Sequence, residues 1–94
     1  MSLSFSTTGD GNSAAQVFEW ASGGGRTVNV VAEYAAGTGT IKLQATKPGG
    51  SVWVDVPGAE FTANASVPVW VTRGASLRIN TASASTLNAV VNVD

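Results

Sequence analysis

Two residue types that carry much of protein chemistry are missing from this 94-residue chain, which has no cysteine and no histidine. Without them, disulfide bridges and the common zinc, haem and nucleophile–base arrangements are excluded. The Asx-rich stretch Thr8–Ser13 lacks the further oxygen ligands and the closing glutamate of a calcium-binding loop, so a turn is the better interpretation. We therefore expect no bound cofactor and no metal.

Charge is also scarce. Five lysines and arginines stand against six acidic residues, and the net charge is −1. The basic residues are scattered and form no stripe that would match a phosphate backbone, so we expect no nucleic-acid partner. The acidic residues fall on predicted strand faces and loops, where a pair of converging catalytic carboxylates is not indicated. The sequence thus favours a protein that is not an enzyme.

Long apolar runs are absent as well. No stretch approaches the roughly 18 uninterrupted apolar residues that a membrane-spanning helix needs, so we expect no membrane partner. The N-terminal residues Met1–Phe5 turn polar at once, and no secretion signal is visible there.

Valine dominates what is present, with 13 copies among many alanines, threonines, serines and glycines. Apolar and polar residues alternate with a period of two, which is the pattern of antiparallel strands with one buried face. Glycine-rich and proline-containing turns separate these runs at intervals of about 8 to 12 residues, as in β-sandwiches and small barrels. The alternating runs are 28–34, 41–46, 67–72, 77–80 and 87–93.

These observations predict an all-β fold, an antiparallel β-sandwich of seven to eight strands with either a jelly-roll or an immunoglobulin-like order. Residues 1–94 form one domain, because a chain of this length supports a single core. Residues 1–13 are either part of that domain or an extended N-terminal arm that alternates like an added strand.

The segment 13–21 has two interpretations. It matches a short helix with a Ser13/Gln16 capping box, and it also matches a strand that places Phe18 and Trp20 on one side. Nine residues are too few for a helix without strong packing, so we favour the strand.

The tryptophans are the main candidates for function. Trp53 and Trp70 lie on the parity opposite to the valines of their strands, and strict alternation would expose both rings. Such rings serve the packing of a second buried layer, a contact with another chain or a platform for sugars. Our candidate interface contacts are Trp20, Arg26, Trp53 and Trp70, with Arg26 available for a carboxylate on a neighbouring chain.

Several short motifs occur in an order that resembles small structural proteins of tailed bacteriophages, and they cover about residues 15 to 92. An aromatic strand leads into a glycine-rich turn, a Gly-x-x-x-Leu-Gln strand, a Gly-x-x-Trp hairpin and a Phe-Thr-Ala-Asn turn. The residues are Phe18-x-Trp20-x-x-Gly-Gly-Gly-Arg26, Gly39-Thr-Ile-Lys-Leu43-Gln44, Pro48-Gly-Gly-Ser-Val-Trp53-Val-Asp-Val56, Phe61-Thr-Ala-Asn64 and Ser76-Leu-Arg78.

The resemblance implies a virion component, most often a capsid decoration (cement) protein that binds the major capsid protein as a homotrimer. Such a protein is made in the host cytoplasm and resides on the capsid surface. A head or tail fibre or receptor-binding module is the alternative within virions, and a carbohydrate-binding β-sandwich that uses exposed tryptophans is the alternative outside them. The family pattern also favours a bulge before Val56 that turns Trp53 inward, which leaves Trp70 as the better candidate for an exposed contact.

Overall fold

The computed structural model describes residues 3–19, 23–82 and 87–94. Within these ranges the chain forms strands, turns and bends and contains no helix, and segment 13–19 is extended around a two-residue strand. The strand interpretation of that segment is therefore confirmed for Gln16–Val17, while Trp20 lies outside the described residues. The strands are β1 (Leu3–Thr8), β2 (Gly11–Asn12), β3 (Gln16–Val17), β4 (Gly25–Ala36), β5 (Thr40–Ala45), β6 (Val54–Phe61), β7 (Ala65–Thr72), β8 (Ser76–Ala82) and β9 (Asn88–Val93).

The strands form two antiparallel sheets that pack face to face. Sheet A has the order β1-β9-β4-β7, and sheet B has the order β2-β8-β5-β6, with β3 also paired to β8. The observed fold class is thus an all-β, antiparallel, sandwich-like fold. The described residues form nine strands, more than the predicted seven to eight, because the two-residue strands β2 and β3 are counted separately.

Strand order distinguishes between the two predicted topologies. Since β2 and β3 lie one after the other along β8, they count as one interrupted strand. With that count, the first strand pairs with the eighth, the second with the seventh, the third with the sixth and the fourth with the fifth. A chain folded back on itself in this way is a jelly roll, not an immunoglobulin-like sandwich.

The core lies between the sheets and follows the alternation seen in the sequence. On β4, Val28, Val30 and Ala32 are buried, while the intervening side chains face outward. Burial of these apolar side chains supplies the main favourable term in folding. The other large buried residues of the described chain are Phe5, Phe18, Ile41, Leu43, Phe61, Val69, Val71, Leu77, Ile79, Leu87, Val91 and Val93.

Each sheet has two edges, and the edges meet along two seams. At the first seam, β1 of sheet A lies beside the β2 and β3 side of sheet B, and the Gln16 side chain donates a hydrogen bond from Nε2 to the carbonyl of Ser4 (2.7 Å). Segment 3–13 therefore contributes β1 and β2 to the sheets of its own chain. The second seam lies between β6 and β7.

Tyr34 connects loops 37–39 and 62–64 at one end of the sandwich. Its hydroxyl lies 2.7 Å from the carbonyl oxygen of Gly39 and 3.0 Å from that of Phe61, so its single proton is shared between two acceptors. Its backbone N–H donates to Oδ1 of Asn64 (2.7 Å). Burial raises the pKa of the Tyr34 phenol above its ordinary value of 10.0.

Candidate interaction surface

Four large hydrophobic side chains are exposed in the described part of the chain. They are Val52 (75%), Trp70 (61%), Val54 (58%) and Val17 (47%). Single exposed apolar residues are ordinary on a protein surface, whereas a cluster of them marks a contact site. The first three lie together at the seam between β6 and β7.

A groove of about 270 Å³ runs along this seam, and we call it the β6–β7 groove. A neighbouring hollow around residues 49–52 shares Lys47 and Val54 with it. The surface is mainly apolar, with a cation and an anion among its lining side chains. The residues that line the groove include Ala45, Lys47, Val54, Asp55, Val56, Pro57, Trp70 and Val71.

A bulge in β6 leaves the seam open. Lys42 pairs with Glu60 and Gln44 pairs with Asp55, so the four residues 56–59 of β6 lie opposite Leu43 alone. Extra residues in one strand bend that strand and interrupt the ladder. The bulge therefore explains why Val54, which has the inward parity of a core valine, is more than half exposed.

On the other side of the groove, Trp70 projects from β7 between the buried residues Val69 and Val71. Its Cζ2 atom lies near Gly25 on β4, where an added Cβ would come within 3.0 Å of that atom and would also meet the Val71 carbonyl oxygen. Gly25 has a φ of 151°, a conformation that other residues rarely adopt. The Trp70 side chain remains exposed, as the alternation predicts.

Proline protects the edge of β7 against strand addition. The N–H and C=O groups of Asn29 bond to Asp94, on the β9 side of β4. Pro68 is the partner of Asn29 in β7, so its nitrogen points to the free edge of the sheet, where it offers no donor. Pro57 similarly removes a donor from β6. The β6–β7 groove is therefore suited to receive inserted side chains rather than an added strand.

Trp53 occupies a different surface, the outer face of sheet B. The guanidinium carbon of Arg78 lies 4.3 Å from the centre of its ring. Arg78 donates from Nε to Oε1 of Gln44 (2.9 Å), and Gln44 donates from Nε2 to Oδ1 of Asp55 (3.0 Å). Lys42 Nζ extends this polar network to within 3.7 Å of Asp55 Oδ2 and 3.8 Å of Glu60 Oε1.

The expectation that a bulge turns Trp53 into the core is wrong. The bulge is present, but it begins at residue 56 and leaves Trp53, which is partly buried, outside the core cluster. Because the Arg78 guanidinium covers one face of the ring, that face is closed to a sugar. Trp53 is therefore held by a contact within its own sheet.

Of the four predicted contact residues, Arg26 and Trp70 lie on the paired strands β4 and β7. Arg26 is exposed at the start of β4 and is opposite Val71, while the adjacent Thr27 is opposite Trp70. Trp53 lies on the other sheet, and Trp20 is outside the described residues. Val52 and Val54 were not among the predicted contacts, because their valine character predicted core positions. The signal that could have found them is Pro57-Gly58, which marks an irregular edge strand.

The rest of the described surface shows no concentrated chemistry. Residues 3–19, 23–82 and 87–94 contain no group of three or more acidic side chains that could hold a metal ion. Those same segments contain no helix with the length and hydropathy needed to cross a membrane. Fold and surface together define a jelly-roll β-sandwich with an apolar groove at one seam. No protein-family profile, no curated protein sequence and no solved structure matches the chain.

Proposed function

We propose that the chain is a non-enzymatic structural protein of a bacteriophage virion, which decorates the capsid as a homotrimer and binds the major capsid protein. The observation that carries this proposal is the exposure of Val54 and Trp70 on the lining of the β6–β7 groove, with the exposed Val52 on the adjoining hollow. An exposed apolar cluster beside a protected sheet edge fits a contact made by side chains with another protein.

The outer face of sheet A supports the same proposal. Its outward strand positions are mostly serines, threonines and asparagines, and they also include Val31, Pro68, Trp70 and Val90. Glu33 is the charged residue among them, and Asp94 follows directly after β9. Depletion of charge is the compositional mark of interface centres. Because a 94-residue domain buries a modest fraction of its surface, association with other subunits also adds stability that its own core cannot supply.

Quantitative mass spectrometry of purified phage particles tests the proposal. A decoration protein is present at hundreds of copies per particle, in a fixed ratio to the major capsid protein, whereas a fibre or receptor-binding module is present at tens. Particles assembled with Trp70→Ser should carry far fewer copies, and those assembled with Trp53→Phe should carry the normal number. Absence of the chain from purified particles would exclude both virion roles.

The geometry of Trp70 favours carbohydrate binding as a second candidate function. Trp70 is 61% exposed, so a sugar ring can reach its indole. Titration of the protein with glycans while tryptophan fluorescence is recorded tests this function. Saturable changes that disappear in Trp70→Ser and persist in Trp53→Phe would support it, and a flat response to every glycan would exclude it.

A further inference from the structure

We propose that the β6–β7 groove receives β3 of a second copy, with Val17 against Trp70 and Glu19 beside Lys47, in a contact that repeats around a closed ring. This inference rests on the self-association in the proposed function and names its two surfaces. It requires no other protein, so it can be tested on the isolated chain.

Val17 is the one exposed large hydrophobic residue of the described chain that lies away from the groove. It belongs to β3, whose partner is β8, and β8 is followed by β5 and then β6. The donor strand and the groove are therefore on opposite sides of sheet B, separated by about three strand spacings of roughly 4.8 Å each. One molecule can thus present Val17 and the groove at the same time, to two different neighbours.

Charge complementarity supports the choice of a second copy as the occupant. Glu19 is exposed two residues after Val17, and Lys47 is exposed on the lining of the groove. In the part of the chain that the structure describes, neither side chain takes part in an ion pair. The proposed contact would give each of them an opposite charge at the rim of an apolar centre, where such pairs set orientation.

The shortness of β3 suits a groove whose edges disfavour pairing with an added strand. Pro57 and Pro68 disfavour a continuous ladder with an added strand, and β3 has two residues, too few to form one. Val17 faces outward because its neighbours Gln16 and Phe18 point toward the sandwich interior. The contact is therefore an insertion of side chains into the groove.

The two surfaces are different, so the contact is heterologous, and repetition of a heterologous contact gives a ring or a filament. Val17 projects from the face of sheet B, whereas the groove opens sideways at the seam. Successive copies therefore turn relative to one another, which favours a ring, and three copies satisfy the trimer of the proposed function.

Native mass spectrometry of the isolated protein, with sedimentation at several concentrations, tests this arrangement. We expect a closed ring for the natural sequence. Glu19→Lys alone and Lys47→Glu alone should each weaken association by about tenfold or more, because each places like charges opposite one another. The double variant Glu19→Lys/Lys47→Glu should recover most of the loss. Both substitutions are at exposed positions, and thermal unfolding will confirm that each of the three variants is folded.

A mixing experiment tests the heterologous geometry directly. Val17→Asp removes the donor surface and Trp70→Ser removes the acceptor surface, so each variant alone should be monomeric. An equimolar mixture should form a heterodimer, because one intact donor and one intact acceptor surface remain. A contact that does not place Val17 of one copy against Trp70 of the next would give no such recovery.

A monomer at every concentration, or a ring that the charge reversals leave unchanged, would overturn the inference. A double reversal that fails to restore association would also overturn it. These outcomes are separable from those of the virion proposal. A monomer that still binds capsids would refute the ring alone, and a ring that is absent from particles would refute the virion role alone.

Discussion

The guanidinium of Arg78 lies 4.3 Å above the centre of the Trp53 ring. The pair joins β8 to the segment that leads into β6, across the intervening strand β5. Its position separates the roles of two tryptophans that look alike in the sequence. Trp53 is held by its own chain, and Trp70 is exposed at the groove where another chain would bind.

A double-mutant cycle measures the Trp53–Arg78 interaction. We expect Trp53→Leu and Arg78→Met to show a coupling free energy of about 0.5 to 1 kcal/mol in urea unfolding, since a partly exposed cation–π pair contributes about that much. Arg73→Met is the matched control, because Arg73 is an exposed arginine, whereas the guanidinium over the Trp53 ring is that of Arg78. Equal coupling for Arg73 and Arg78 would contradict the assignment.

Trp70 and Trp53 should respond to substitution in opposite ways. Trp70→Ser should weaken self-association by tenfold or more and change the free energy of unfolding of the monomer by less than about 1 kcal/mol, as exposed positions usually do. Trp53→Ser should lower the free energy of unfolding by about 1 to 2 kcal/mol, since it removes a half-buried ring, and leave association intact. Sedimentation and urea unfolding on the same samples give both values.

Gly25 should tolerate no side chain. Gly25→Ala should cost about 2 kcal/mol or more, because its φ is 151° and the new Cβ would meet the Val71 carbonyl oxygen. Gly24→Ala is the control, since a Cβ there has no neighbour within 4 Å. A Gly25→Ala variant as stable as Gly24→Ala would show that the close approach of β4 and β7 is not rigid.

Tyr34→Phe should lower the free energy of unfolding near neutral pH by about 1 to 2 kcal/mol, because the carbonyl oxygens of Gly39 and Phe61 lose their shared donor. The difference should depend on pH. The pKa of Tyr34 is raised in the folded state, so the phenol's contribution is fully present below the unfolded value near 10 and is lost as pH rises through the folded value.

The chain has a single tyrosine, so phenolate absorbance in the folded protein reports Tyr34 alone. We expect its titration midpoint above that of the urea-unfolded chain. The stability gap between the natural protein and Tyr34→Phe should narrow above pH 10. A midpoint below that of the unfolded chain would contradict burial as the controlling cause.

Pro68→Thr should leave the free energy of unfolding nearly unchanged and increase aggregation. The substitution restores a backbone donor on the free edge of β7, where strands of other molecules can then pair. Pro48→Thr is the control, because Pro48 lies in the turn at residues 47–50 and not on a sheet edge. Light scattering during prolonged incubation gives the comparison, and equal aggregation of the two variants would refute the protective role of Pro68.

The sequence predicted the parts of the fold that depend on local pattern. Alternation on β4 placed Val28 and Val30 in the core, and alternation on β7 placed Trp70 outside it, as the structure shows. Strand order was beyond local pattern, because pairs such as Leu3 with Val93 join the two ends of the chain.

The candidate site was only partly predictable for the same reason. Val54 has the alternation of a buried residue, but a four-residue bulge at an edge strand opens the seam beside it. The partner that keeps Trp53 on the outer face, Arg78, is distant in sequence. Neither the bulge length nor that pairing follows from a periodicity of two.

The most direct test of the central claim is the copy number of this chain in purified phage particles, measured by mass spectrometry against the major capsid protein. We predict hundreds of copies per particle for the natural sequence and a large reduction for Trp70→Ser, with Trp53→Phe unaffected. Particles that contain none of the chain, or that carry the natural number of Trp70→Ser copies, would contradict a capsid contact built on the β6–β7 groove.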